Sequence, residues 1–457
     1  MRLFGFTNSL GNIYSEAKLP AYKRKGLNWI MGGNLCGNLW GIICGSSTAA
    51  MVGLANLFGA GDFEFGLLVA VTQIAAVMQI PFSLLVNKTH KRKRYLLTWG
   101  LASRAIWFFV GLTPLIFGFG PSKAALSVVI LILALSSIGN SFIGVCWFPW
   151  FSDIAPLEIR GRWFSIRDTV NSVSGLLFGL LVAYLLDVLP ESSKFTVIFI
   201  LGGLFGVMDM ICFGFAKDEW VSGNRPMSFF KTIRGILKDK PFMRFTIMWT
   251  AWCFSSNMAG SYLTPYAMNS MGLSYMQITV FGTVTASLFT VIAIRRWGHL
   301  LDRFGSRNVM LVSALIGSVT QMFYVLSVPG SVWPTFLYNA IGALFWSGSN
   351  LAANGLQLSA SSAEERPSYI AVFACITALA GTALGTLCGS SILTACETRN
   401  IFTGYYDRYK LLITIATVLR ILTVIIFVPK LPNENDSSAR DMISSTIPHF
   451  LRKGARN

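Results

Sequence analysis

From position 27 onward the chain is a succession of apolar runs of about twenty residues, each ended by a short polar break. A run of that length covers the hydrocarbon layer of a bilayer when coiled at 1.5 Å per residue. Lipid offers no partner to a backbone N–H or C=O, so a spanning segment must satisfy its own hydrogen bonds as a helix or join a closed barrel. These runs are too long for tilted barrel strands. Only 12% of the 457 residues are charged, about half of what a soluble domain carries, which excludes an ordinary soluble enzyme or binding module.

The runs place twelve spans. Six lie at 27–57, 65–86, 95–119, 124–151, 163–188 and 195–216, and six at 242–268, 275–297, 309–328, 333–358, 369–393 and 409–428. The one long internal connection, 217–241, is polar and carries Lys231, Arg234, Lys238 and Lys240. The expected fold is therefore an all-α polytopic membrane protein of twelve transmembrane helices in two pseudo-symmetric six-helix bundles, 27–216 and 242–428. A cytoplasmic N-terminal arm (1–26), a cytoplasmic linker (217–241) and a polar cytoplasmic tail (429–457) complete the domain reading.

Most of the 37 Lys and Arg fall on one side of these spans, together with both termini and loops such as Lys88 to Arg94. The other side holds only Lys123, Lys194, Arg399, Arg408 and Lys410. Basic residues are retained in the cytoplasm, so both termini are expected there, in a multi-pass protein of the plasma or inner cell membrane. The net charge of +17 is then a topology signal and not a nucleic-acid footprint. The eight cysteines sit almost entirely within apolar runs and read as small packing residues. His90, His299 and His449 fall in polar connections or the tail, so neither a metal, a cofactor nor a catalytic constellation is expected, and an enzyme is not.

The two halves echo each other after their second spans. In the second half the sequence reads Gly298, His299, Leu300, Leu301, Asp302, Arg303, Phe304, Gly305, Ser306, Arg307. This resembles the Gly-x-x-x-Asp-Arg-x-Gly-x-Arg loop of the major facilitator superfamily, and the layout of two six-helix halves is similar to that family over nearly the whole chain. The first-half counterpart keeps Lys88, His90, Lys91 and Arg92 but has lost the carboxylate and both glycines. A second family-like stretch, Asp153, Pro156, Glu158, Arg160, Gly161, Arg162, joins the fourth and fifth spans; Glu364, Glu365 and Arg366 form its shorter partner. The resemblance implies that Gly298, Asp302, Arg303, Gly305 and Arg307, with Asp153, Glu158, Arg160, Gly161 and Arg162, gate the cytoplasmic side. Asp302 would then face the start of the fifth span near 161–165. Physically such loops are breakable latches, since carboxylates favour helix N-termini and Arg makes several charge-assisted hydrogen bonds.

In the fold the chain resembles, spans 1, 4, 7 and 10 line a central cavity. The 3.6-residue period puts Asn34 and Asn38 on one face of span 1, Asn140 and Trp147 on one face of span 4, and Asn339, Trp346 and Asn350 on one face of span 10. Span 7 offers Trp249, Trp252 and Asn257. Amides supply donors and acceptors, and indoles a flat apolar face with one donor, which suits a neutral polyhydroxylated or heterocyclic solute. The alternative for any one of these positions is helix packing by small and polar residues.

Within the spans, Arg104 stands about nine residues into span 3 and Asp209 about seven from the cytoplasmic end of span 6. Their depths agree to about one turn, so a buried pair is expected. It reads as a structural ion pair or a proton-coupling site. Arg420, in span 12, has no evident acidic partner and is expected to snorkel to the interface. Together these features imply a secondary transporter of a small organic solute such as a sugar or glycoside. It would work by alternating access as a monomer in the lipid bilayer, with H+ or Na+ as a candidate coupling ion. An exporter of amphipathic drug-like compounds and a transport-inactive sensor or scaffold stay open as other readings.

Overall fold

The computed structural model describes residues 14, 19–89, 91–154, 157–217, 229–360, 366–401, 404 and 406–431, which form helices and turns with no strand among them. Most of the N-terminal arm, part of the linker, the tail beyond 431 and residues 361–365 lie outside the described residues. The chain divides into two compact units, Met1–Pro226 and Met227–Asn457.

In the first unit the elements are α1 (Ala21–Cys44), α2 (Ala49–Leu57), α3 (Asp62–Ala75), α4 (Gln79–Thr89), α5 (Arg92–Ala105), α6 (Trp107–Phe117), α7 (Lys123–Ile154), α8 (Leu157–Val188) and α9 (Lys194–Gly214). They make six segments long and apolar enough to cross a membrane. Helix α1 packs on α9 and α8, α7 on α5 and α3, and α9 on α6. Hydroxyls stitch these contacts: Ser141 Oγ donates to the Ala75 carbonyl across 2.8 Å, Trp107 Nε1 donates to Ser136 Oγ across 2.8 Å, and Ser136 Oγ donates to the Ser103 carbonyl across 2.9 Å. Large side chains including Trp150, Phe151, Trp163, Ile30 and Phe213 fill the core near the first residues of α1.

Three spans of this unit depart from the regular helices expected, the third by a turn at Ile106 between α5 and α6. The first is broken: α1 stops at Cys44, Gly45 is extended, and α2 restarts after Thr48. Gly45, Ser46, Ser47 and Thr48 are four poor helix formers in a row, and the hydroxyls compete for the backbone groups a helix would use. Thr48 does so on both sides, donating to the Ile43 carbonyl across 2.9 Å and accepting from the Met51 N–H across 3.3 Å. The second span tightens into a 3-10 turn at Ala76–Met78. Pro81 explains it: with no N–H at 81, the Val77 carbonyl has no donor four residues on, and the ring crowds that turn.

The second unit contains α10 (Phe229–Ile236), α11 (Lys240–Gly260), α12 (Leu263–Asn269), α13 (Tyr275–Ile278), α14 (Thr285–Val319), α15 (Trp333–Ser359), α16 (Arg366–Ile376), α17 (Leu384–Thr398) and α18 (Arg408–Phe427). Wide π-helical turns link α13 to α14 at Thr279–Val284 and α16 to α17 at Thr377–Ala383. Three segments here pass on length and hydropathy, and the 50-residue one, Tyr275–Tyr324, holds two spans because α14 kinks at Gly305. That residue has φ 78°, a conformation that side chains other than glycine's resist. Helices α11 (21 residues) and α15 (27 residues) are also long enough to span, about 31 and 40 Å, but their Trp, Ser and Asn content keeps hydropathy from marking them. The described residues are thus consistent with twelve spans. Along α17, a Cβ on Gly385 or Gly389 would run into the carbonyl oxygens of Phe254 and Met258, so α17 meets the backbone of α11 directly.

Candidate functional sites within the two units

In the first unit, α5 and α9 bring Arg104 and Asp209 together at 6% and 3% exposure, with Nη2 and Oδ2 3.7 Å apart. Arg104 Nη1 also donates to Asn140 Oδ1 across 2.5 Å, and the guanidinium carbon lies 3.4 Å from the Trp40 ring centroid. Two helices, α1 and α7, thus place an aromatic and a neutral partner around a cation carried by α5. Glycine makes the room. A Cβ on Gly37 would stand 2.9 Å from Asp209 Oδ2, and one on Gly206 would stand 2.6 Å from the Trp40 indole and 2.9 Å from Arg104 Cδ. Even so, Asp209 Oδ1 and Arg104 Nε have no hydrogen-bond partner. The pair is held by one long contact and by its neighbours, and removing either member would strand a buried charge at a cost of about 3–5 kcal/mol.

Directly beside this cluster lies a cavity of about 310 Å³. Its walls come from the broken end of α1 (Cys44, Gly45, Ser46), from span 2 where it turns 3-10 (Thr72, Ala76, Gln79), and from α7 (Leu133, Ser136, Ser137, Asn140, Ser141), with Trp40 and Trp107 as aromatic sides. The irregularities of the first and second spans therefore open onto the same space. The volume is at the lower end of what holds a small organic ligand, and the lining is hydroxyls, amides, two indoles and few apolar groups, with no carboxylate. Asn140 belongs to it, and sequence periodicity had singled that residue out. Trp40, Thr72 and Gln79 had not been, although Pro81 and the Gly-Ser-Ser-Thr run were visible signals of the irregularities that expose them.

Other candidates in this unit sit elsewhere. Asn34 Nδ2 donates to the Ile30 carbonyl of its own helix across 2.8 Å. Asn38 Nδ2 donates to the Asn171 carbonyl (2.8 Å) and to Ser174 Oγ (3.0 Å), tying α1 to α8. Trp147 stacks on Phe151 with centroids 5.5 Å apart, and the Arg167 guanidinium lies 5.2 Å from its centroid. None of the three lines the cavity.

In the second unit Trp249, Trp252 and Trp346 form a continuous aromatic chain, with centroids 5.0 Å apart for the first pair and 6.3 Å for the second. Trp346 Nε1 donates to the Gly317 carbonyl across 3.2 Å. Asn257 Nδ2 donates to the Cys253 carbonyl (2.9 Å) and reaches Thr382 Oγ1 of the second π-helical turn at 3.5 Å, while Asn339 Nδ2 donates to the Thr335 carbonyl across 2.8 Å. Asn350 is exposed.

Behind the indoles lies Arg420, and here the expectation of snorkelling fails. The side chain is 0% exposed, its carbon is 5.8 Å from the centroids of both Trp252 and Trp346, and Nε, Nη1 and Nη2 have no hydrogen-bond partner. The cause is the face it occupies: Ile413, Ala416, Thr417 and Val424, on the same side of α18, are all buried, and α18 packs on α11 and α14. Depth alone had suggested an exit to the interface; the packed face closes it. Two cation–π contacts contribute about 0.5–2 kcal/mol each, less than the several kcal/mol needed to take a guanidinium out of water.

Of the proposed latch residues, Asp302 and Arg303 are exposed, and the Arg303 guanidinium lies 5.0 Å from the Phe304 centroid. The turn they belong to is fixed by the Gly305 kink and by Asn308 Nδ2 donating to the Phe304 carbonyl across 2.9 Å. Ser306 packs so close to Gly355 of α15 that a Cβ there would be 2.5 Å from its Oγ. Gly298 has open space around it, Arg307 is half-buried and Arg162 is exposed. The side chains of Asp153, Glu158, Arg160, Gly161 and Arg366, and all of Glu364 and Glu365, lie outside the described residues.

Comparison with known proteins now adds to this geometry. A family model described as Major Facilitator Superfamily matches residues 35–386. No curated protein sequence matches the chain significantly. Solved structures similar in fold include a bacterial homologue of the human lysosomal transporter Spinster, with TM-score 0.65 and 14% identity over 91% of this chain and 100% of that one. The nucleoside transporter NupG is similar at TM-score 0.64 and 13% identity, covering 88% of this chain and 100% of that one. A D-xylose–proton symporter is similar at TM-score 0.64 and 14% identity, covering 92% of this chain and 100% of that one. Identities this low speak for the fold alone, but the family model spans well over half of the chain, and with the two helical units and the Asp302/Arg303 turn it places this membrane transporter in the major facilitator superfamily.

Proposed function

We propose that the chain is a secondary transporter of a small, neutral, polar organic solute such as a sugar or glycoside, working by alternating access across the plasma or inner cell membrane. The observation that carries this reading is the first-unit cavity: about 310 Å³, walled by the hydroxyls of Thr72 and Ser137, the amides of Gln79 and Asn140, and the indoles of Trp40 and Trp107. Hydroxyls and amides match the donor and acceptor pattern of a polyol, and an indole face suits the apolar side of a sugar ring. Similar folds that carry D-xylose or nucleosides support a solute with several hydroxyls. Both termini are assigned to the cytoplasm from the distribution of basic residues, and the Asp302/Arg303 turn is assigned to the latch that closes that side.

Uptake of labelled sugars and nucleosides into reconstituted vesicles, with and without imposed H+ or Na+ gradients, tests the proposal. It expects saturable uptake of at least one hydroxylated solute and competition by its unlabelled form. Stimulation by one gradient would identify the coupling ion. A panel that is not transported under any gradient, by protein shown to be folded, would remove the reading.

A further inference from the structure

We propose that the cluster of buried donors around Arg420 in the second unit binds a small monoanion, either chloride or the carboxylate of a solute. Arg420 stands near mid-helix in α18, twelve residues from Arg408 and seven from Phe427. It is fully covered, and none of its three nitrogens has a hydrogen-bond partner. A guanidinium offers five N–H donors and no acceptor. Two further buried polar groups belong to the same cluster: the Trp252 indole N–H, which has no partner, and the 0% exposed Gln321 amide, whose neighbour is the Tyr338 hydroxyl. Tyr338 lies beside both Arg420 and Gln321 and connects them to Trp346 through a ring contact of 5.8 Å.

Among the described residues of this unit the acids are engaged or placed elsewhere. Asp239 accepts from the Tyr369 hydroxyl across 2.8 Å, Glu397 meets Arg408 at 3.5 Å, Asp407 caps α18, and Asp302 is exposed. Among the described residues no carboxylate faces the guanidinium. The cluster holds a full positive charge and more donors than acceptors without a partner, Gln321 Oε1 being the acceptor, so it repels cations and serves a neutral polyol less well than an anion. An anion satisfies charge and donors together. Trp346 and Tyr338, which border Arg420, are half-buried, whereas Arg420 is wholly covered. The inference is independent of the neutral cavity in the first unit, so either can fail alone.

The test uses the purified full chain in lipid nanodiscs. Thermal unfolding is followed at constant pH and ionic strength while sodium morpholinoethanesulfonate, a bulky anion, is replaced by chloride, formate or acetate. Binding to the folded state predicts a saturating rise in Tm. Gln321→Leu should raise the half-saturating concentration about tenfold, the loss of one hydrogen bond to a charged group. Arg420→Gln should abolish the anion effect, and Arg420→Leu should melt above the wild type in the bulky anion and lose that advantage in chloride. A response to chloride alone identifies an inorganic ion; displacement of chloride by formate or acetate identifies carboxylate recognition. Equal melting in every anion, or a rise that survives in Arg420→Gln, overturns the site. Should Arg420→Gln not fold, an unshifted anion titration in Gln321→Leu overturns it as well.

Discussion

Trp40 and Arg104 face each other at 3.4 Å, ring centroid to guanidinium carbon, and Trp40 is at the same time a wall of the first-unit cavity. One indole therefore separates a candidate solute space from a buried ion pair, and Asn140, which accepts from Arg104, touches both. Whatever enters the cavity contacts groups whose positions are set by the charge behind them.

Asp209→Asn should be strongly destabilising. The substitution leaves Arg104 buried with only Asn140 and Trp40 as partners, and a loss of about 3–5 kcal/mol is expected. The double replacement Arg104→Leu with Asp209→Leu should recover much of it, because no charge remains to be compensated. Unfolding of both variants and the wild type in denaturant measures this; a double variant no more stable than Asp209→Asn would show that the pair is not what holds the site.

Gln79→Leu separates binding from folding. Gln79 is exposed and lines the cavity beside Gly144, 3.5 Å from where a Cβ there would stand. Removing its amide should weaken solute binding by about tenfold, the cost of one or two hydrogen bonds, and leave the Tm within a few degrees of the wild type. Uptake as a function of solute concentration, beside a melting curve, reads both.

Pro81→Ala should restore the hydrogen bond from residue 81 to the Val77 carbonyl and let span 2 run as one α-helix through 76–78. The expected result is a protein at least as stable as the wild type with reduced transport, since the cavity loses the turn that opens it. Undiminished uptake would show that the 3-10 turn has no part in shaping the site.

Tyr14 anchors the N-terminal arm to the first unit: its hydroxyl donates to Asn28 Oδ1 across 3.2 Å and accepts from Trp163 Nε1 across 3.3 Å. Burial pushes its pKa up from 10.0 to about 12, with the Trp163 bond acting the other way. The folded state therefore keeps the proton between pH 10 and 12, where the unfolded state loses it, so stability from this residue is complete below pH 10 and falls as pH rises through that window. Tyr14→Phe should melt below the wild type at pH 8, and the gap should shrink by pH 11.5. A gap constant across that range would refute the assignment.

Much of the fold is written in the hydropathy of the chain, because a segment that crosses lipid has to be both long and apolar. Helices α11 and α15 show where that signal thins: they carry the polar and aromatic residues of candidate sites, and it is the length of their runs, 242–268 and 333–358, that marks them as spans. Equal depth of Arg104 and Asp209 can be counted along the sequence, but the third and fourth partners, Asn140 and Trp40, depend on which helices adjoin. The Gly45–Thr48 run of poor helix formers signals weakness in the first span, but that the helix stops there, and does not merely pack closely, shows only in the extended Gly45. Arg420 is the instructive failure. Sequence yields its depth and the distance to the interface, whereas its confinement follows from the face of α18 that packs on α11 and α14.

The backbone contact between α17 and α11 limits how the second unit can move. Helices slide past each other on a cushion of side chains that can change rotamers; where Gly385 and Gly389 lie against the Phe254 and Met258 carbonyls, that cushion is missing. The two helices form a single beam, and any rearrangement that passes a solute must find its shear plane somewhere else in the bundle.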